Sequence, residues 1–398
     1  MTRSRPLERD DLPEVALLYT SVMRTGSEDR AADVAAYLER TVLDHPWADP
    51  ELPSLVHLDD GRIVGFIGSY VRRLRFDGEP IRLACSGQLV AARNVRSQGV
   101  GALLTDRYMN GPQDLTITDG ATETARRIWE ARGGETAHLR CIGWTRVLRP
   151  WGFAGEQGLR RRELGVLKPV LGTVLPALDA VTSRLPGAFF QPPRPSATGE
   201  PLTPSVLLEH LPALAGRLRL FPDYDLVFLE WLFRELAQVT SQGVPVAQLV
   251  RGDGGRPLGW YVYYLKPGGV CKVLQVVARD RDVGTVLDHL FLHAWLGGGA
   301  AVHGRVEATL LEPLSSRRCF LRYQGGSLVH SRRPEILDAV RGGRSLLTRM
   351  EGEWWMGHHL IDLVEGPPPL VPGVARAMTA PSGLQEVVEP VAEPRGHG

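Results

Sequence analysis

Lysine is almost missing from this 398-residue chain: Lys168, Lys266 and Lys272 are the only three, and arginine supplies the rest of the 46 basic residues. That bias fits a GC-rich bacterial genome and carries no function. Cysteine is also scarce. Cys85, Cys141, Cys271 and Cys319 are scattered without C-x-x-C pairing or metal-ligand spacing, which excludes a zinc or dithiol motif and leaves each as a small buried apolar residue. The eleven histidines form no metal-binding constellation, so no metal is expected. An excess of one charge is missing too, since 46 basic residues meet 45 acidic ones. No global field then draws the chain to nucleic acid or to an anionic membrane. No apolar run approaches the length of a bilayer span, and the polar opening Met1 to Asp11 is unlike a signal peptide. A cytoplasmic protein without stable membrane insertion is the expectation.

What is present is enough apolar residue, 43%, for real cores, and a length that favours two or three domains. The most informative stretch is Gln88 to Leu104, where a strand-like run reaches Arg96-Ser-Gln-Gly99-Val-Gly101 and an apolar helix-like run follows. Glycines let backbone approach an anion closely, and the amides that open a helix carry partial positive charge suited to a pyrophosphate. Upstream, the β-type runs Leu55 to Leu58, Ile63 to Arg73 and Ile81 to Val90 are separated by Asp60-Gly61 and Asp77-Gly78, which are hairpin dipeptides. Downstream, the periodicity predicts a helix over Ala102 to Asn110, a strand over Leu115 to Thr118, a helix over Thr122 to Arg132 and a strand over Ala137 to Trp144.

The Arg-x-x-Gly-x-Gly order between a strand and a helix, in that setting, resembles the acetyl-CoA signature of the GNAT superfamily of N-acetyltransferases. The resemblance implies an α/β (α+β) fold and acetyl-CoA or another acyl-CoA as cofactor. It places Arg96, Ser97, Gln98, Gly99, Val100, Gly101 and Ala102 on the pyrophosphate, with Leu89 and Ala91 along the pantetheine arm. The family's helix pattern Asn-x-x-Ala-x-x-x-Tyr-x-x-x-Gly-Phe is matched here at Ala125 and Gly133. Thr122 stands for the asparagine and can still hydrogen-bond near the pantetheine. Trp129 replaces the tyrosine that protonates the leaving thiolate, and an indole N–H is no practical acid. The carboxylate often found on the strand before the loop is missing as well, because Ile81 to Val90 offers only Cys85, Ser86 and Gln88. Asp119, at the end of the next strand, is the candidate base, the alternative being that it caps the helix near Thr122. Cys85 reads as core rather than as an acyl carrier, and His57 and His138 read as structural.

Helical stripes open the chain: Val15, Leu18, Tyr19 and Val22 behind Asp10 or Asp11, then Val34, Tyr37, Leu38, Thr41 and Val42. The loop Arg24 to Arg30 between them borders the acceptor site in the family. The motif Gly61-Arg-Ile-Val-Gly65 recurs as Gly255-Arg-Pro-Leu-Gly259, and Arg96 to Leu104 is answered by Arg279 to Leu287 with Asp282 in place of Gly99. This is a repeat at domain scale. A carboxylate at 282 repels a pyrophosphate, so the second copy is expected not to bind acyl-CoA but to support the first. The expectation is two tandem acetyltransferase-like mixed sheets flanked by helices. Residues 1–151 form the cofactor domain, 152–201 a connecting helix and Pro-rich linker, 202–365 the degenerate copy, and 366–398 a disordered tail. The function implied is acyl-CoA-dependent acetylation of an amine on a small molecule or a sugar. A noncatalytic acyl-CoA-binding protein and an aminoacyl-tRNA-dependent transferase are the alternatives. Nothing in the sequence sets an oligomeric state.

Overall fold

The computed structural model describes residues 3–23, 28–93, 99–159, 178–179 and 190–365. The first strand, β1 (Arg3–Pro6), leads to helices α1 (Leu12–Met23) and α2 (Ala31–Leu38). Their apolar stripes are buried as the spacing requires, with Val15, Tyr19, Val34, Tyr37 and Leu38 in the core. The meander β2 (Leu55–Asp59), β3 (Arg62–Phe76) and β4 (Glu79–Ala91) then forms on the two Asp-Gly turns. All four turn residues have positive φ, which the twist of a two-residue hairpin demands.

α3 (Val100–Met109), β5 (Leu115–Thr118), α4 (Glu123–Glu130) and the two-residue β6 (Glu135–Thr136) follow. The strand expected from Ala137 starts late. His138–Cys141 is a 3-10 turn, and β7 is Ile142–Val147. α5 (Pro150–Leu159) has its first amides capped by the buried Asp179 carboxylate at 3.0 and 2.8 Å. The rest of the connecting helix expected over Glu163 to Leu185, the Arg24 to Ser27 part of the acceptor-side loop, Arg96 to Gln98, and the tail from Gly366 lie outside the described residues.

The end of the Pro-rich linker is itself a strand, β8 (Thr198–Pro201). After it come α6 (Pro204–Ala215), β9 (Leu220–Pro222), α7 (Leu226–Leu236), β10 (Val244–Arg251), β11 (Pro257–Leu265), β12 (Val270–Ala278), α8 (Val283–Leu296) and β13 (Ala301–Arg305). The chain closes with α9 (Leu311–Ser316), β14 (Phe320–Tyr323), β15 (Leu328–His330), α10 (Pro334–Arg341) and α11 (Trp354–Glu365). None of the described helices is long and apolar enough to cross a membrane.

Two mixed sheets result, in one compact unit. The first runs β1-β2-β3-β4-β5-β15-β6 with β9 added beside β3, and the second runs β8-β10-β11-β12-β13-β7-β14. Position by position they match. Every pairing along each path is antiparallel except the fourth, β4 with β5 and β12 with β13, which is parallel. Register repeats as well, since Gly65 lies opposite Ala91 and Gly259 opposite Ala278. The sixth position in each path is exchanged: β7 completes the second sheet and β15 completes the first. A cut at residue 151 therefore does not separate the two sheets.

The shared core lies between the sheets. It takes Phe66, Tyr70 and Cys85 from one, Trp260, Tyr264 and Leu274 from the other, and Trp231 and Trp355 from α7 and α11. α3 covers the opposite face of the first sheet through Val100, Leu104 and Tyr108, and α8 covers the outer face of the second through Val286, Leu290 and Phe291.

Candidate active site

Parallel strands β4 and β5 pair only from Leu83–Leu115 to Cys85–Ile117. Beyond that point they splay, leaving a cleft between residues 86–91 and 118–120. At its outer end Gly99 precedes α3 with φ +76° and no side-chain cap, and a Cβ at Gly101 would meet only Leu89 Cδ2 at 4.0 Å. Glycine is required at 99 by this left-handed backbone rather than by crowding. The amides that open α3 are thus presented by a bare turn, the local form of an anion cradle. Leu89 and Ala91 lie partly buried against α3 with Val100, and Ala102 sits in its first turn. Arg96, Ser97 and Gln98 cannot be placed with them, being outside the described residues. Thr122 is exposed, and its hydroxyl accepts from the Ala125 amide at 3.3 Å, so it caps α4. Trp129 is buried against Met109 and Leu328.

At its inner end the cleft receives a side chain that the sequence reading missed. The segment from Ser345 to Glu353 crosses the interior between the sheets and inserts the Glu353 carboxylate between β4 and the end of β5. The Asp119 amide donates to it at 2.9 and 3.0 Å, the Gly120 amide at 2.9 Å, the Cys85 thiol at 3.2 Å, and the Thr118 hydroxyl also donates. Space is made by Gly87, where a Cβ would stand 3.2 Å from the Glu353 Cβ and Cγ. Burial, followed by the neighbouring Asp119 carboxylate, pushes the Glu353 carboxyl well above the usual carboxylate range. The same burial, with Glu353 beside it, pushes the Cys85 thiol well up, so Cys85 is a protonated donor.

Asp119 is not the cap of α4. Its Oδ1 accepts from the amides of Glu353 and Trp354, both at 2.9 Å, at the start of α11, and Arg305 Nη1 lies 3.5 Å from its Oδ2. Its side chain is 3% exposed. A Cβ at Gly352 would fall 2.3 Å from that carboxylate, so glycine there is what admits it. Asp119 and Glu353 therefore hold each other's backbone amides in a reciprocal clasp. Asp119 directly follows β5 and Arg305 ends β13, equivalent places in the two sheets. Gln88, in the left-handed region at φ +48°, takes the Tyr70 hydroxyl, whose pKa burial raises far above normal. His57 and His138 stay outside this cluster, bonded to Ser4 at 2.7 Å and to Tyr323 at 3.4 Å.

The corresponding cleft of the second sheet is differently built. Asp282, aligned with Gly99, sits before α8 and is clamped by Arg256 at 2.8 and 3.1 Å, which holds its carboxyl below the usual range. An internal carboxylate and guanidinium thus stand where the first sheet has a bare glycine turn. Gly99 comes eight positions after Ala91, but Asp282 only four after Ala278. Replacing Asp282 with glycine removes one repulsive charge without restoring that longer loop. The Asp282→Gly variant is therefore expected to gain no acyl-CoA site, and titration showing a new second equivalent would contradict the reading.

No protein-family model and no curated protein matches the sequence. Solved structures do match. A protein from Enterococcus faecalis V583, described as a probable N-acyltransferase, superposes with a TM-score of 0.53 at 9% identity over 83% of this chain and 73% of that one. A GCN5-related N-acetyltransferase from Anabaena variabilis ATCC 29413 gives 0.54 at 11% identity, again over 83% and 73%. The chain has the GNAT acetyltransferase fold. Gly99 and α3 lie on one face of the first sheet, and Glu353 lies on the other, with the core that α1 and α2 share.

Proposed function

We propose that the chain is an acyl-CoA-dependent N-acyltransferase whose reaction takes place in the cleft between β4 and β5. The observation that carries this reading is the Glu353 carboxylate, buried at the point where the strands splay and facing from the side opposite α3. Gly99, Val100, Gly101 and Ala102 fit an acyl-CoA pyrophosphate by their open backbone amides, with Leu89 and Ala91 beside the arm, and Arg96, Ser97 and Gln98 belong to the same loop. An amine enters as an ammonium ion and must lose a proton before it attacks a thioester carbonyl. Glu353, whose pKa burial and the neighbouring Asp119 carboxylate raise, is the group placed to take that proton. Asp119 acts as a positioning residue, through the amides of Glu353 and Trp354. The acceptor is an amine on a small molecule or a sugar, approaching from the α1–α2 face.

Residues 202–365 are a degenerate copy of 1–151, with β7 and β15 exchanged between the sheets, and bind no acyl-CoA because the Asp282–Arg256 pair stands at the helix entrance. Burial of Trp129 favours a second reading, an acyl-CoA-binding protein without turnover, since no acid of the usual kind faces the leaving thiolate. Release of free thiol from acetyl-CoA across a panel of small amines and amino sugars decides between them. Amine-dependent release is expected; stoichiometric binding with no release from any amine would favour the noncatalytic reading.

A further inference from the structure

Two glutamines stand at the same step of the two sheets. Gln88 comes three positions before Ala91 and Gln275 three before Ala278, the alanines that lie opposite Gly65 and Gly259. Gln275 is in register opposite Val262, is 1% exposed, and has both ends of its amide bonded. Its Oε1 accepts from the Trp260 indole at 2.8 Å and its Nε2 donates to the Thr348 hydroxyl at 3.2 Å. Gln275 is a satisfied core residue.

Gln88 departs from its counterpart on each point. Between the pairs Phe66–Val90 and Gly68–Gly87, Ile67 faces two residues, Gln88 and Leu89, so Gln88 lies in a β-bulge. Its φ of +48° is a left-handed conformation that strains a side chain of that length, and strain of this kind gathers where structure holds a functional group in place. The bulge lies past the Cys85–Ile117 pair, where β4 and β5 have already parted. Tyr70 fixes one end of the side chain. Its buried hydroxyl, kept protonated by that burial, has no other acceptor among the described residues and donates to Gln88 Oε1. A Cβ at Gly68 would stand 3.1 Å from that oxygen, so glycine there leaves it room. The amide nitrogen is thereby turned away from Tyr70. Gln88 is half-buried, and among the described residues its Nε2 has no partner. A Cβ at Gly87 would meet both the Tyr70 ring and the Glu353 side chain, which places the Tyr70–Gln88 pair and the carboxylate on one side of the cleft.

We propose that the Gln88 side-chain amide is a catalytic residue that donates from Nε2 to the carbonyl oxygen of the acyl group. This role rests on the acyl-CoA reading of the cleft. An amine nitrogen bonding to the carbonyl carbon pushes the C=O π pair onto oxygen. Return of that pair breaks the C–S bond and releases the thiolate, which takes the second amine proton, the first having gone to Glu353. Gln88 gives up no proton. A fixed neutral donor aimed at the oxygen that gains charge lowers the barrier more than it tightens binding, and Tyr70 holds the donor in position. In the second sheet the same glutamine commits its amide to Thr348, in keeping with a cleft that takes no acyl group.

The test is calorimetric titration of the full chain with acetyl-CoA and with S-ethyl-CoA, the thioether that lacks the carbonyl oxygen. The wild type is expected to bind acetyl-CoA roughly fivefold to tenfold more tightly, the scale of one hydrogen bond. In Gln88→Gly, a change that suits the positive φ, that preference should fall to about one while S-ethyl-CoA binds as before. Amine-dependent thiol release should drop about 100-fold or more, with the KM for acetyl-CoA rising by no more than the lost preference. Gln88→Gly leaves the buried Tyr70 hydroxyl without an acceptor, so the double variant Tyr70→Phe with Gln88→Gly controls for stability. It removes both partners, should melt no lower than the single variant, and should show the same two losses. The proposal is overturned if the wild type does not prefer acetyl-CoA, if the variants keep that preference, or if they keep wild-type turnover. Binding of neither compound by the wild type would instead sink the acyl-CoA reading itself, and this role of Gln88 with it.

Discussion

Glu353→Gln is expected to lower amine-dependent turnover by about 100-fold or more, the usual contribution of a positioned base, while leaving the melting temperature nearly unchanged. The glutamine carbonyl can still accept from the amides of Asp119 and Gly120 and from the Thr118 hydroxyl, so the clasp survives and only the proton acceptor is lost. The pH dependence gives a second readout. Burial and the Asp119 carboxylate raise the Glu353 pKa, so the wild-type rate should climb with pH until it passes that raised value, and the residual rate of the variant should not show that step. Stability moves the opposite way. A carboxyl whose pKa is higher folded than unfolded contributes stability that is full below the unfolded pKa and is lost as pH rises through the folded one. Glu353→Gln should therefore lose less stability than wild type between weakly acid and alkaline pH. Thiol release measured from pH 5 to 9, beside thermal melts, checks both; a variant with wild-type turnover would remove Glu353 from the chemistry.

Asp119→Ala is expected to destabilise the protein by about 3–5 kcal/mol, the scale of breaking a buried ion pair from one side. It strips the acceptor from the Glu353 and Trp354 amides and leaves Arg305 beside an empty place. Asp119→Asn keeps an oxygen for both amides and loses only the charge facing Arg305, so its cost should be much smaller. Its turnover should also exceed that of Glu353→Gln by a wide margin, because Asp119 positions the carboxylate and does not take the proton. Denaturant melts of Asp119→Ala, Arg305→Ala and the double variant should show coupling, since the two side chains meet in the interior. Additive effects would mean that the pair does not join the halves. An Asn variant as inactive as Glu353→Gln would return the role of base to Asp119.

Local signals in the sequence carried much of the fold. The hairpin dipeptides at 60–61 and 77–78 and the alternation on either side located β2, β3 and β4, and helical spacing located α1, α2, α3 and α4. The repeat was legible from Gly65 and Gly259 because each lies opposite an alanine that ends the next strand. The exchange of β7 and β15 was not legible, since strand composition shows that a strand is half-buried and not which of two similar sheets it joins. Nor was Glu353. It stands 268 positions from Cys85, beside the adjacent Trp354 and Trp355, and no local motif marks it. Trp355 closes the core as such bulk suggests, and Trp354 lies partly buried beneath the Arg349 guanidinium at 4.2 Å. A carboxylate reaches the ends of β4 and β5 from across the fold, with Gly87, Gly120 and Gly352 as nearby traces of it.

The measurement that tests the central claim most directly is calorimetric titration of the purified chain with acetyl-CoA beside the Gly99→Asp variant. An aspartate is tolerated at positive φ and favours a helix N-terminus, so the variant should fold while its carboxylate repels a pyrophosphate. One equivalent bound by the wild type and none by the variant is the predicted result. No binding by either chain, or undiminished binding by the variant, would contradict an acyl-CoA site at the turn before α3.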